Sequence, residues 1–240
     1  MPKLLDFKGV RAGSPLKILS KSDTEAEIVI YAGIGTDWWN DGSMISAKNF
    51  SEELKKLPDT VSTLNIRVNS PGGDVFDGIA IYNRLKQHKA KKVVYIDGLA
   101  ASIASVIALA GDEIVMGEGA LFMVHLPWTF AMGNRTDLDN VINRLTDVEE
   151  QMIGIYSKKT KLSRTEVRAM LEAETWMDAD ESIDKGFADK KSEETFAMAA
   201  SALKSPWINK RPEKVVSQSD VVQEKLEKLK KDLNARLARK

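Results

Sequence analysis

Residues 93–111, V-V-Y-I-D-G-L-A-A-S-I-A-S-V-I-A-L-A-G, limit the folds open to this chain more than any other stretch. They open on a β-branched run, Val93, Val94, Tyr95 and Ile96, that reads as a buried strand. Asp97-Gly98 predicts a turn. Small residues follow, Ala100, Ala101, Ser102, Ala104 and Ser105, and the pattern predicts an apolar helix ending at Gly111 as its C-cap. Ser102 then sits near the start of a buried helix, just after a strand and a glycine turn. Unpaired N–H groups and partial positive charge at a helix start suit a developing oxyanion. Close packing with Ser102 as a small polar filler explains the same residues equally well, so two other stretches must decide.

A chain of 240 residues can bury a sizeable core and fits one large domain with extensions. Its 35 basic and 35 acidic residues cancel, which gives no global electrostatic case for nucleic acid. Cysteine is absent, which excludes disulfides and thiol catalysis. The opening M-P-K-L-L-D-F-K has no long apolar run of the secretory kind. The longest apolar stretch, around 102–110, is too short to span a bilayer. The expectation is a soluble, cytoplasmic protein with no membrane partner.

The elements alternate along the chain. Residues 1–25 read as an arm or edge segment, and 27–31 as a strand ended by Gly33 and Gly35. Trp38 and Trp39 lie in a loop through Gly42, better suited to packing than to a ligand cage. Ser46 is a good N-cap for a helix through Leu57. Residues 63–68 alternate as a strand, and Val75–Gln87 is helical. Strands follow at 113–116 and 121–124, then a long amphipathic helix over 136–156. A capping box, Ser163 to Glu166, opens another helix, and a short helix covers 178–185. This alternation predicts an α/β domain over about 26–190.

Two further stretches bear on chemistry. Asn69-Ser70-Pro71-Gly72-Gly73-Asp74 joins a strand to a helix, and its glycines let backbone N–H groups approach a ligand. It lacks the lysine and spacing of a phosphate loop but suits an oxyanion or a peptide backbone. The only histidines are His88, in a lysine-rich helix end, and His125, which closes the apolar run F-M-V-H-L-P. His125 is the better-placed general base for a serine. No metal-ligand spacing is visible, and the chemistry calls for no cofactor.

Four motifs in one order, N-S-P-G-G-D-V-x-D-G-I-A-I-Y-N, G-L-A-A-S-I-A-S, M-V-H-L-P and E-T-W-M-x-A-x-E-S-I-x-K-G-F-A-D, resemble the proteolytic subunit of the Clp protease over about 27–190. The wording I-Y-A-G-I-G near 30 and E-T-W-M near 174 looks most like the phage and prophage branch, associated with capsid (prohead) maturation. The resemblance implies a Clp/crotonase-like fold of repeated ββα units and a serine endopeptidase assembled as rings around a chamber. It also implies Ser102 as nucleophile, His125 as base and Glu174, where the family usually has Asp, as the orienting acid. Asp178 and Asp180 are nearby alternatives to Glu174. The N–H groups of Gly72 and Ile103 match the oxyanion hole. An extended substrate is expected along Gly73 and the segment after His125, including Thr129 and Gly133, with the 136–156 helix as the ring contact. The N-terminal segment does not resemble the family's ATPase-docking arm, so no ATPase partner is implied. The alternatives are a catalytically idle scaffolding protein or a crotonase-type acyl-CoA enzyme; the intact Ser102 and His125 argue against both.

After Asp189 the resemblance stops. Residues 191–218 read as a linker with Pro206 and Pro212. In 219–240, Val222, Leu226, Leu229, Leu233 and Leu237 fall on one helical face, with a local excess of basic residues. That predicts an amphipathic helical extension that pairs with itself, docks on the ring, or binds a capsid or scaffold protein. The place of work is then the host cytoplasm or the viral procapsid.

Overall fold

The computed structural model describes residues 16–36 and 43–192. In chain order the elements are β1 (Leu16–Ser20), β2 (Glu25–Ile30), β3 (Gly33–Ile34), β4 (Met44–Ile45), α1 (Ala47–Leu54), β5 (Thr63–Ser70), α2 (Val75–Gln87), β6 (Lys91–Ala101), α3 (Ile103–Ala108), β7 (Glu113–Met116), β8 (Leu121–Val124), α4 (Arg135–Lys159), α5 (Arg164–Glu172), β9 (Thr175–Met177), α6 (Ala179–Asp184) and β10 (Lys190–Lys191). The helical extension, the expected linker beyond residue 192 and the Trp38–Trp39 loop lie outside the described residues; Lys191, expected to open the linker, is the second residue of β10.

Alternation builds the sheet. Ile28 and Ile30 of β2, Leu64, Ile66 and Val68 of β5, and Val94 and Ile96 of β6 all point to one face and are buried. Phe50 and Leu54 of α1 and Ile81 and Leu85 of α2 belong to the same core. Each such side chain contributes roughly 1.5–3 kcal/mol on burial. The sheet order is β1-β2-β5-β6-β7-β10, parallel from β2 onward, with β1 antiparallel at the edge. Helical crossovers are what parallel neighbours require. Residues 16–20 of the expected arm are therefore an edge strand.

The turn expected at Asp97-Gly98 is not there. β6 continues through it for 11 residues, with a bulge against β5 between the Val68–Ile96 and Ser70–Ala100 pairings, and the reason is a change of partner. Val93 to Ile96 pair with β7, whereas Leu99 to Ala101 pair with β8. Asp97 sits between the two pairings with its carboxylate buried. Arg67 on β5 supplies a two-pronged ion pair, with Nε 2.8 Å from Oδ2, and the Tyr31 hydroxyl donates to the same carboxylate. Arg67 also stacks over Tyr95, 5.2 Å from the ring centre. Burial and the neighbouring Asp97 push the Tyr31 hydroxyl up to about 12. A residue pair that favours turns thus stays in the strand because the charge it buries is matched.

The helix expected up to Gly111 is shorter. It spans Ile103–Ala108, is buried throughout, and closes on Leu109 in a right-handed conformation rather than on a left-handed glycine. The caps read from sequence hold. Ser46 accepts from the Asn49 N–H, and Ser163 and Glu166 form their capping box.

Removing one partner of the Arg67–Asp97 pair leaves a buried charge. Arg67→Met should lower the unfolding free energy measured in urea by about 3–5 kcal/mol, and adding Asp97→Leu should restore most of that loss.

Candidate active site

Ser102 follows the last residue of β6 and precedes the first of α3. Its backbone has φ 54 and ψ −129, a region that a side-chain-bearing residue occupies at a cost of about 1–3 kcal/mol. Its N–H donates to the Met123 carbonyl of β8 at 3.0 Å, and its carbonyl accepts from the Ser105 N–H at 3.0 Å. The Ser102 hydroxyl caps nothing on its own helix. It lies 2.7 Å from Nε2 of His125. With the proton of a neutral His125 on Nδ1, Ser102 Oγ donates to Nε2.

His125 is the residue after β8, so the same strand that receives the Ser102 N–H also delivers the imidazole. The chain is fixed just beyond it, where the Leu126 N–H donates to the Leu171 carbonyl at 3.1 Å. Burial lowers the His125 pKa from its ordinary value, opposed by the negative charge of Glu174. His125 is therefore neutral, and able to accept a proton, at pH 7. His88 is elsewhere: its Nδ1 accepts from the Ala90 N–H at 3.2 Å, and burial and nearby lysines lower its pKa too.

Glu174 is close enough to act on His125 through its charge, but no hydrogen bond joins them among the described residues. Its carboxylate accepts instead from the Trp176 indole N–H at 3.3 Å. Glu174 is the second non-glycine residue with positive φ, at 48. The two alternatives are engaged elsewhere. Asp178 caps α6, and Asp180 pairs with Lys191 at 2.6 Å. Nothing in the sequence pattern singled out Trp176 as the partner of Glu174, although the two stand together in E-T-W-M.

The glycine turn closes the other side. Gly72 has φ 88, and a Cβ there would lie 2.8 Å from Ser102 Cβ and 3.0 Å from the Ile103 nitrogen. Only a bare Cα allows this approach. The Gly72 backbone and the Ile103 nitrogen thus lie close together beside Ser102. No hydrogen bond within the described residues engages the Ile103 N–H, whereas the Gly72 N–H leans on Ser70 Oγ at 3.2 Å. Ser70 in turn donates to the Ala32 carbonyl at 2.6 Å, tying the turn to the end of β2. Gly78 of α2 makes room for the Ile103 side chain, since a Cβ there would sit 2.1 Å from Ile103 Cγ1. Sequence reasoning missed the supporting roles of Ser70 and Gly78, which depend on contacts between distant segments.

Gly73 is exposed beside Gly72, with its backbone against the Ile34 carbonyl. Thr129 and Gly133 lie on the segment 126–134, which forms no strand and is exposed from Trp128 on. The same region presents apolar surface: Trp128, Phe130 and Met132, then Leu138 and Ile142 on α4, are all exposed. Only the far end of α4 is buried, through Met152, Ile153 and Tyr156. Among the described residues no group of three acidic or histidine side chains could hold a metal, and no helix is long and apolar enough to cross a membrane.

Comparison with known proteins identifies the family and the fold. The family model described as Clp protease matches residues 43–195. The ATP-dependent Clp protease proteolytic subunit 1 of Chlamydia abortus is 31% identical over 154 residues, covering 60% of this chain and 80% of the relative. The corresponding subunit of Deinococcus radiodurans is 27% identical over 134 residues, covering 55% and 66%. Among solved structures, a point mutant of ClpP1 from Listeria monocytogenes has a TM-score of 0.60 at 20% identity, over 70% of this chain and 91% of that one, a likeness of fold. The chain belongs to the Clp protease family, a family of serine-type peptidases with the Clp/crotonase-like fold.

Proposed function

We propose that this protein is a serine endopeptidase acting through an acyl-enzyme, with Ser102 as nucleophile and His125 as general base. The observation that carries the reading is the 2.7 Å contact between Ser102 Oγ and His125 Nε2 at a strained strand-to-helix turn. His125 takes the hydroxyl proton as Ser102 Oγ attacks a peptide carbonyl. The carbonyl oxygen becomes an oxyanion between the Gly72 and Ile103 N–H groups, each worth ~3 kcal/mol of transition-state stabilisation. His125 returns the proton to the leaving amine, and water releases the acyl group by the reverse sequence. Glu174 stabilises the imidazolium and fixes its tautomer once its carboxylate turns from Trp176 to Nδ1. An extended peptide pairs with the backbone at Gly73 and with the 126–134 segment, at Thr129 and Gly133, as an added strand.

The protein works as a homo-oligomeric ring. The exposed apolar residues from Trp128 to Ile142 support this, since a patch of that kind is costly in water unless a partner covers it. A second copy of the chain is the partner we assign. A closed chamber then limits cleavage to extended polypeptide segments. Within the family we place the chain in the phage and prophage branch, cutting capsid or scaffold protein during prohead maturation. The wording I-Y-A-G-I-G and E-T-W-M supports that branch. We divide the chain into an arm over 1–25 that adds edge strand β1 to the sheet, the peptidase domain over 26–190, a linker over 191–218 whose first residue ends β10, and a tethering helix over 219–240. The single leucine stripe and basic excess of the last segment suit attachment to an acidic or helical assembly partner.

Labelling, kinetics, sedimentation and truncation test this reading. A fluorophosphonate should label the wild type and not Ser102→Ala, and peptidase activity should be lost in His125→Ala. The rate should rise with pH through a midpoint below about 6.5, because burial favours the neutral imidazole that the reaction needs. Glu174→Gln, by removing a charge that favours the imidazolium, should move the midpoint further down; an upward move contradicts the assignment. Sedimentation of Leu138→Glu/Ile142→Glu should show smaller species than the wild-type ring. A chain ending at Asp189 should keep Ser102 labelling but lose co-assembly with capsid protein; normal incorporation would remove the tethering role.

A further inference from the structure

Ser105 and Tyr156 are fully buried polar groups that the peptidase mechanism does not use. Their hydroxyl oxygens lie 2.7 Å apart, although they are 51 residues apart in sequence and on different helices, α3 and α4. Ser105 Oγ also contacts the carbonyl oxygen of Ser102. The proton positions follow from chemistry. A carbonyl can only accept, so the single Ser105 hydroxyl proton goes to Ser102 O. The bond between the two hydroxyls then needs the Tyr156 proton. The chain therefore runs in one direction, from Tyr156 O–H to Ser105 Oγ–H to the Ser102 carbonyl.

That carbonyl belongs to the peptide unit whose other end is the Ile103 N–H. A peptide unit is planar, so fixing the direction of its C=O fixes the direction of its N–H. Ser102 holds a backbone conformation that its side chain disfavours, and rotation of this peptide is the natural way to relax it. Two successive hydrogen bonds in a dry environment also polarise the unit and strengthen its N–H as a donor. The Tyr156 ring is held in turn against Phe187, with centroids 5.9 Å apart.

Building on the peptidase reading, we infer that Tyr156 and Ser105 are positioning residues for the oxyanion hole: their hydroxyl chain clamps the Ser102–Ile103 peptide so that the Ile103 N–H faces the substrate carbonyl oxygen. They touch neither substrate nor reacting atoms. Because Tyr156 is part of α4, the helix whose exposed apolar end we assign to ring contact, the clamp also ties the donor to the assembly element.

Tyr156→Phe keeps the ring and removes only the hydroxyl, and Ser105→Ala removes the middle link with little change of volume. Each should lower kcat on a fluorogenic peptide about tenfold, the order expected for one lost buried hydrogen bond, while KM stays within about twofold. A peptide boronate, whose tetrahedral adduct places an oxygen in the hole, should weaken in proportion to kcat. The double variant should be no worse than Ser105→Ala alone, since both act through one chain. Loss of folded protein alone would also lower apparent kcat at constant KM, so kcat is expressed per Ser102 site titrated with the fluorophosphonate. A second readout needs no turnover: the Ile103 amide resonance should move in both variants. Wild type without Ser102-dependent labelling would sink the peptidase reading, and the Ile103 resonance would still decide the clamp. Wild-type kcat and boronate affinity in Ser105→Ala, or an unmoved Ile103 amide, overturns the inference.

Discussion

The site depends on one uncomfortable backbone. Ser102 sits at φ 54 and ψ −129, where a Cβ is disfavoured, and no local interaction makes that conformation stable by itself. It persists because segments far apart in sequence hold each side of it. β8 takes its N–H through Met123, Tyr156 reaches its carbonyl through Ser105, and Gly72 lets the turn after β5 come against it. If any of these is displaced, the hydroxyl loses its line to His125.

The long strand β6 is what makes such support possible. By pairing first with β7 and then with β8, it carries the serine past the edge of one set of strands and delivers it beside the strand that ends at His125. The change of partner falls at Asp97-Gly98, where the buried carboxylate is matched by Arg67 and Tyr31. Stability and chemistry therefore meet in one strand. The ion pair on one face keeps β6 extended, and the apolar face packs it on the helices.

The acid behind the histidine is arranged more loosely than the serine in front of it. Glu174 influences His125 through space while its carboxylate rests on Trp176. A glutamate has one more rotatable bond than an aspartate, so it can hold the indole in one state and the imidazole in another. Burial alone already keeps His125 neutral at pH 7. On the proposed mechanism the base is ready before the acid engages, and the acid contributes when the imidazolium forms.

Much of the fold was legible in local patterns, because those patterns answer to local physics. Val75–Gln87, the strands at 113–116 and 121–124, the Ser46 cap and the Ser163–Glu166 capping box fall where side-chain period and capping chemistry put them. The serine, the histidine and the glycine turn stood out because few residue types suit the chemistry proposed for them. What the sequence could not settle was anything decided between distant segments. Asp97-Gly98 has every local mark of a turn, and partners far off in sequence, Arg67 and Tyr31, hold it in a strand. The left-handed serine, the bond from Glu174 to Trp176 rather than to His125, and the hydroxyl chain from Tyr156 have no local signature. They exist because tertiary packing places each polar group beside a partner and removes the water that would otherwise compete for it.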